Sequence, residues 1–489
     1  MKTSLLKKIL LIIIFLTFAA SGWAGGVIPA GRLDFDFLYD RYEHIDALSR
    51  DYFDFQLGPY STDDSAFSVG PFEYLAPNDN EHLHLFSFAG EDFRSAKESR
   101  GVGYETFRGG LAARPHERVF IYGNFLLDEQ KAKDPTYAGK KYRGLAGGVE
   151  EAFAHATFGG FNISIGRFAS FWGPRNSLIL SARNRLDGFG YTWRWGRIAL
   201  SYRLAKLRGL NPDADSVAQF ENRYFAAHRL DVHVTDWLRV GGFEGVVFGG
   251  PGRQIEFNYL NPLIFFHASQ LNENVNDNTF MGFDWSVKPL RGLKLYGQLV
   301  IDDLQVDNSS QSDQEPSQYG FLVGGYFADV LPHLDVKGEY TRVTNWTFNQ
   351  PLARNRLVVQ NDVLIGGALG NDYDLISLEM KRWLRTDVAA DLHLGYLRQG
   401  EGSVTADWTA PWLLVTGKYE EKFPTGTVEK TLTVAGSVQG FAFDHFYLDA
   451  TLGVDKITNY LNVDGDNRDV PFFQLRLSAF IDGSVNVNP

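Results

Sequence analysis

The chain has no cysteine among its 489 residues, which excludes disulfides and thiolate metal sites alike. Beyond residue 24 it also has no long apolar run, so nothing there supplies the roughly 20 apolar residues a membrane-crossing helix needs. Basic residues are in deficit: 47 Lys and Arg against 59 Asp and Glu give a formal charge of -12, which argues against nucleic acid as a partner. Common enzyme signatures are missing as well. There is no Gly-rich phosphate loop ending in Lys-Ser/Thr, no His-Glu-x-x-His helix and no Gly-x-Ser-x-Gly elbow. Nor does a fixed-period repeat mark a propeller or solenoid.

What is present begins with a secretion signal over residues 1–24. Lys2, Lys7 and Lys8 form a basic start, Ile9 to Ala20 an apolar stretch, and Gly22-Trp23-Ala24 a small-residue cleavage site. Loss of those three lysines takes the mature charge to -15. A second segment, 25–78, is predicted to be periplasmic, and within it Leu38, Tyr42, Ile45 and Leu48 recur at helical spacing.

From residue 79 to 489 the dominant signal is alternation. Leu293, Leu295, Gly297, Leu299 and Ile301 are apolar or small, while Lys294, Tyr296, Gln298 and Asp302 lie between them, with Val300 the exception. Strand side chains point to opposite faces in turn, so the odd residues share one oily face. The same alternation runs through Val119–Leu127, Phe161–Ile165, Ile198–Leu204, Leu230–Val234, Leu334–Tyr340, Val388–Tyr396, Leu448–Val454 and Phe473–Ile481. Behind a secretion signal, this pattern predicts an all-β fold. The expected architecture is a single transmembrane antiparallel β-barrel of about 18 strands in a bacterial outer membrane, preceded by a short N-terminal helical periplasmic segment. A mean hydropathy of -0.20 fits, because lumen-facing polar residues cancel lipid-facing ones in any window. So does an aromatic content of 15%, enough to girdle both membrane interfaces. Polar gaps at 128–146, 302–317, 343–372 and 398–410 are candidate external loops. The last apolar alternation ends at Phe480-Ile481, and Asp482 to Pro489 are read as a polar tail.

Sites of chemistry are few. His82 and His84 share a strand face, a pattern more often exposed than metal-binding. Asp302 and Asp303 are adjacent, hence on opposite faces, and cannot flank one glycosidic bond. No catalytic residue, metal or cofactor is therefore assigned. The densest stretch is IGRFASFWGPRNSLILS, residues 165–181: a strand, a Trp-Gly-Pro break, Arg175-Asn176, then a second apolar strand. It reads either as a strand-turn-strand corner or as a groove where Arg167, Trp172 and Arg175 meet a polyhydroxylated or anionic ligand. In the second stretch, 256–303, Asn258, Asn261, Asn272, Asn274, Asn276 and Asn278 offer amides that donate and accept as sugar hydroxyls require, or else simply form a polar external loop.

These two stretches resemble the capsule assembly Wzi family. GRFASFWGPRNSLILS, the downstream Leu-Asn-Pro, the strand around Gly282-Phe283-Asp284 and the LYGQLVIDD strand occur in that family in the same order. The resemblance implies an outer-membrane barrel that binds or anchors surface polysaccharide, lectin-like and non-enzymatic. It places Arg167, Trp172, Arg175, Asn176, Asn258, Asn261, Asn272, Asn274 and Asp284 among the candidate polysaccharide contacts. Partners would be polysaccharide and outer-membrane lipid, and the protein a monomer. The alternatives are a porin or uptake channel for small polar or anionic solutes, and an outer-membrane hydrolase. Mixed charges on the presumed lumen row (Lys294, Asp302, Lys337, Glu339, Asp391, Arg476) favour a filled interior over an open path.

Overall fold

The computed structural model describes residues 27–28, 33–48, 60–61 and 82–486, the last with gaps at 97–98, 117, 135–136, 138, 182–183, 211–220, 274, 307–309, 311–313, 361–362, 368 and 444. The predicted signal peptide lies outside the described residues, as does Asn274. Eighteen wall strands follow one another around a closed barrel, each antiparallel to the next. They are β1 (His82–Ala96), β2 (Ser99–His116), β3 (Val119–Asp128), β4 (Leu145–Phe158), β5 (Phe161–Ala169) and β6 (Arg185–Trp195). Next come β7 (Ile198–Leu210), β8 (Glu221–His233), β9 (Leu238–Pro251), β10 (Asn278–Leu290), β11 (Leu293–Asp303) and β12 (Gln318–Leu331). The circuit ends with β13 (Leu334–Val343), β14 (Tyr373–Arg385), β15 (Val388–Gln399), β16 (Glu429–Ala442), β17 (Phe446–Thr458) and β18 (Arg468–Asn486). The presumed polar tail is mostly strand: β18 runs to Asn486 and closes the barrel on β1, with Phe472 opposite Ala96 and Asn486 opposite His82.

Alternation sets the faces as the sequence predicts. On β11, Lys294, Tyr296, Gln298 and Val300 are buried toward the lumen, while Leu295 and Leu299 are each 36% exposed on the outside. Leu295→Arg should therefore cost about 2–4 kcal/mol if the site lies near the bilayer midplane. Urea unfolding in lipid vesicles reads this directly, and an unchanged midpoint would contradict the register. Val300, the one apolar residue on the polar row, packs on an apolar core inside the lumen.

Connections at one end are tight, such as 159–160, 196–197 and 291–292; the other end carries 252–277, 304–317, 344–372 and 400–428. Outer-membrane barrels turn tightly on the periplasmic side and loop outside, so this orients the molecule. Exposed Phe158, Trp193, Trp195, Trp237 and Phe446 ring the tight-turn end, where the periplasmic aromatic girdle belongs.

The predicted N-terminal helix exists as α1 (Leu33–Leu48), but it does not lie free in front of the barrel. It sits inside the lumen at the tight-turn end. Phe37 packs edge-on against Trp383, Phe441 and Tyr447 of β14, β16 and β17. Asp46 accepts from Lys288 at 2.6 Å and Lys294 at 3.0 Å, Glu43 from Lys337 at 3.2 Å, and Asp40 from Lys381. Being surrounded by wall, the helix buries Glu43, His44 and Asp46 as well as Phe37 and Ala47, so no single apolar stripe describes it. The lumen lysines thus pair chiefly with carboxylates of the helix, Lys381 also reaching Glu379 and Asp391 of the wall.

Candidate functional site

The Trp-Gly-Pro stretch enters the lumen from the long-loop end. After β5 the chain turns inward instead of forming a corner, and Leu178-Ile179-Leu180 is not a strand. Those three residues join lumen-facing Phe225, Phe280, Val300 and Val343, and Phe348, Leu357 and Ile365 of loop 344–372, in one apolar core. Gln298 anchors the segment: its Oε1 accepts the Leu178 N–H at 2.7 Å and its Nε2 donates to the Trp172 carbonyl at 3.3 Å. Gly173 has φ +85, and a Cβ there would stand 2.6 Å from Gln298 Nε2 and 3.0 Å from Asp284 Oδ2, so both conformation and space require glycine. Asn176 donates to Glu339 at 2.8 Å, and Arg175 pairs with Asp40 of α1. Loop and helix therefore meet in the middle of the barrel, where Tyr39 and Phe171 also stack edge-on at 6.0 Å.

Most of the predicted contact residues are occupied by this construction. Trp172 is 4% exposed and belongs to the internal core. Asp284 is 0% exposed and is gripped by Arg229 at 2.8 Å and Arg239 at 3.4 Å, which also bind Asp231. Two guanidiniums and two carboxylates form a neutral buried quartet beneath Gly173. Arg167 does not share a groove with Trp172 at all. β5 alternation sends it outward, where it forks onto Asp187 at 2.9 Å and donates to the Val149 carbonyl.

Most of the asparagine stretch is on the other side of the wall, although Asn278 opens β10 facing inward, where it donates to Asp302 and to the Asn355 carbonyl. Segment 252–277 folds down the outside of β7 to β9, with Tyr259 and Phe266 packed on outward-facing Tyr202, Tyr224 and Phe248. The amides of Asn258 and Asn261 are used within the segment, whereas Asn276 accepts from Asn355 of loop 344–372. Asn258 accepts from Tyr259 N–H and donates to Ser269, and Asn261 accepts from Leu263 N–H at 3.0 Å. Asn272 is exposed. Asn258, Asn261 and Asn272 are thus separated from Trp172 by the barrel wall and share no site with it.

A cluster that sequence reasoning did not single out occupies the long-loop mouth. Trp346, Trp408 and Trp412 lie mutually edge-on with centroids 5.1–5.7 Å apart, and Tyr419 extends the group at 6.3 Å from Trp412. Beneath them one carboxylate oxygen of Glu421 accepts from Trp346 Nε1 at 3.0 Å, Tyr419 OH at 3.0 Å and Asn345 at 3.1 Å. Burial and that carboxylate push the Tyr419 phenol upward, keeping it a neutral donor. Trp346 and Trp412 are buried, whereas Trp408 is half-buried beside exposed Asp407 and Thr409. The signal available in sequence was partial: Trp408 lies inside the candidate external loop 398–410, but Trp412, four residues on, falls beyond it.

His44, Asp329 and Asp335 are close enough together to suggest a metal. Asp335, however, already accepts from His44, Tyr326, Trp383 and the Asp329 N–H, so the trio clamps α1 to the wall.

Comparison with known proteins fits this architecture. No curated protein matches the sequence. Among solved structures, Wzi of Escherichia coli, an outer-membrane protein involved in group 1 capsule assembly and described as a carbohydrate-binding β-barrel, superposes with a TM-score of 0.60. The two are 14% identical over 93% of this chain and 99% of that one, a likeness of fold. Pseudomonas aeruginosa OccK10 (OpdN) is 12% identical over 83% of this chain and 99% of its own, at a TM-score of 0.45. OprD of the same organism is 9% identical over 86% and 99%, at 0.46. Residues 196–471, more than half of the chain and spanning β7 through the start of β18, match the capsule assembly protein Wzi family, and the chain belongs to that family.

Proposed function

We propose that this outer-membrane barrel holds capsular-type polysaccharide at the cell surface, as a lectin-like anchor without catalysis. The observation that carries the reading is the lumen. Among the described residues, α1 occupies it from the tight-turn end, and segment 170–181 with parts of loop 344–372 packs into it from the other. Family membership and the carbohydrate binding described for the Escherichia coli relative support the choice of ligand. The contact surface is the aromatic cluster. Trp408 presents an indole face on which pyranose C–H groups stack, Asp407 and Thr409 supply polar edges, and Glu421 holds the platform from below. Trp172, Arg175 and Asn176 act on binding through position, by supporting the loops from inside.

Trp408→Ala should weaken polysaccharide retention about tenfold, the effect of losing roughly 1.4 kcal/mol from one anchoring aromatic, with heat-modifiability of the barrel unchanged. The same purified protein should show no steady conductance in planar bilayers. Retention equal to the parent's moves the site elsewhere, and ohmic conductance returns the protein to the channel class.

A further inference from the structure

Segment 252–277 has two apolar faces, and only one of them has a partner in the barrel. The inner face is tightly seated: Tyr202 OH donates to the Tyr259 carbonyl at 2.7 Å, and Phe248 and Tyr259 lie 4.6 Å apart. It also covers polar groups that alternation places on the lipid side of the wall. Glu244 is buried there, its carboxylate accepting the N–H groups of Phe266 and His267 at 2.8 and 2.7 Å, with His228 3.4 Å away. A bare carboxylate on that wall would be costly in a bilayer, so the segment is a fixed strap.

The outer face is bare and oily. Phe257 is 89% exposed, Leu263 82%, Leu271 67% and Phe265 52%. From Phe257 to Leu271 the sequence contains no Asp, Glu, Lys or Arg. The charges at its ends cancel locally, Arg253 pairing with Glu256 at 2.6 Å and with Asp277. The Asn258 and Asn261 amides accept N–H groups of the segment itself, and Gln270 donates to the Asp277 carbonyl and accepts from Thr279 of β10, while Asn272 is exposed. The strap lies beside exposed Leu230, Met281 and Phe283, so its apolar surface continues the lipid-facing belt at the long-loop end. A chain that spends its polar groups internally and shows large apolar side chains outward suits an apolar medium. We propose that the 252–277 strap is a membrane anchor, seated among the acyl chains of the outer leaflet.

The absence of native cysteine makes the test direct. Full-length Phe257→Cys, Leu263→Cys and Leu271→Cys proteins, each carrying one fluorophore, are reconstituted into phospholipid vesicles containing doxyl-labelled acyl chains. Leu299→Cys serves as the lipid-belt reference and Lys418→Cys as the aqueous-loop reference, and all five must keep the parent's heat-modifiability. All three strap labels are expected to be quenched by doxyl chains as strongly as Leu299 and shielded from iodide. Iodide quenching at the level of Lys418 without doxyl quenching overturns the proposal. So does shielding from both quenchers that grows with protein density, which would assign the face to a second copy of the chain.

Discussion

Replacing Asp284 by alanine is expected to lower the barrel's unfolding free energy by about 3–5 kcal/mol, the scale seen when one partner of a buried ion pair is removed. The reason is charge balance. Arg229 and Arg239 then share only Asp231, in a place where no water compensates the surplus cation. Adding Arg239→Met restores one cation against one anion and should recover part of the loss, a non-additivity that a double-mutant cycle in urea measures. Strict additivity would mean that the four residues do not act as a unit. Because Asp284 also lies under Gly173, the single variant should loosen the Trp-Gly-Pro segment, visible as faster hydrogen exchange over 170–180.

A comparable loss, about 3–5 kcal/mol, is expected for Asp46→Ala at the other end of the lumen. Asp46 is the common partner of Lys288 and Lys294, and without it two ammonium groups face each other beneath the helix. Here the cost should appear as release of the plug rather than collapse of the wall, since β10 and β11 keep their ladder. Hydrogen exchange within 33–48 should rise sharply, and bilayer recordings should gain openings that the parent lacks. Unaltered exchange in α1 would show that the aromatic contacts of Phe37 suffice to hold it.

Strand faces were legible because period-2 alternation is a local property: Leu295 and Gln298 go to opposite sides whatever surrounds them. What covers each face is a long-range property, and there sequence reading failed in both directions. Tyr202 and Tyr224 look like lipid-facing residues, yet they lie under the strap; the clue was His228 and Glu244 on the same outward rows, polar groups with no business facing lipid. Leu178-Ile179-Leu180 reads as a strand by composition. It lacks alternation because it is surrounded inside the lumen, where no face is wet. The charges of α1 look like a solvated surface, and only pairing with lysines some 250 residues away or more turns them inward. In the stretch that carries the Wzi resemblance, Arg175 and Asn176 bond to Asp40 of α1 and Glu339 of the wall, partners that no local pattern announces.

The seam between β18 and β1 bears on how the molecule is made. Its register joins residues 472–486 to 82–96, so the final ladder unites the two ends of the wall. Until those last residues are delivered, both seam strands present unpaired N–H and C=O groups that hydrocarbon will not tolerate. Closure of the wall therefore waits on β18. A nonsense change before β18 would remove the partner of both β17 and β1 and leave an open sheet of seventeen wall strands.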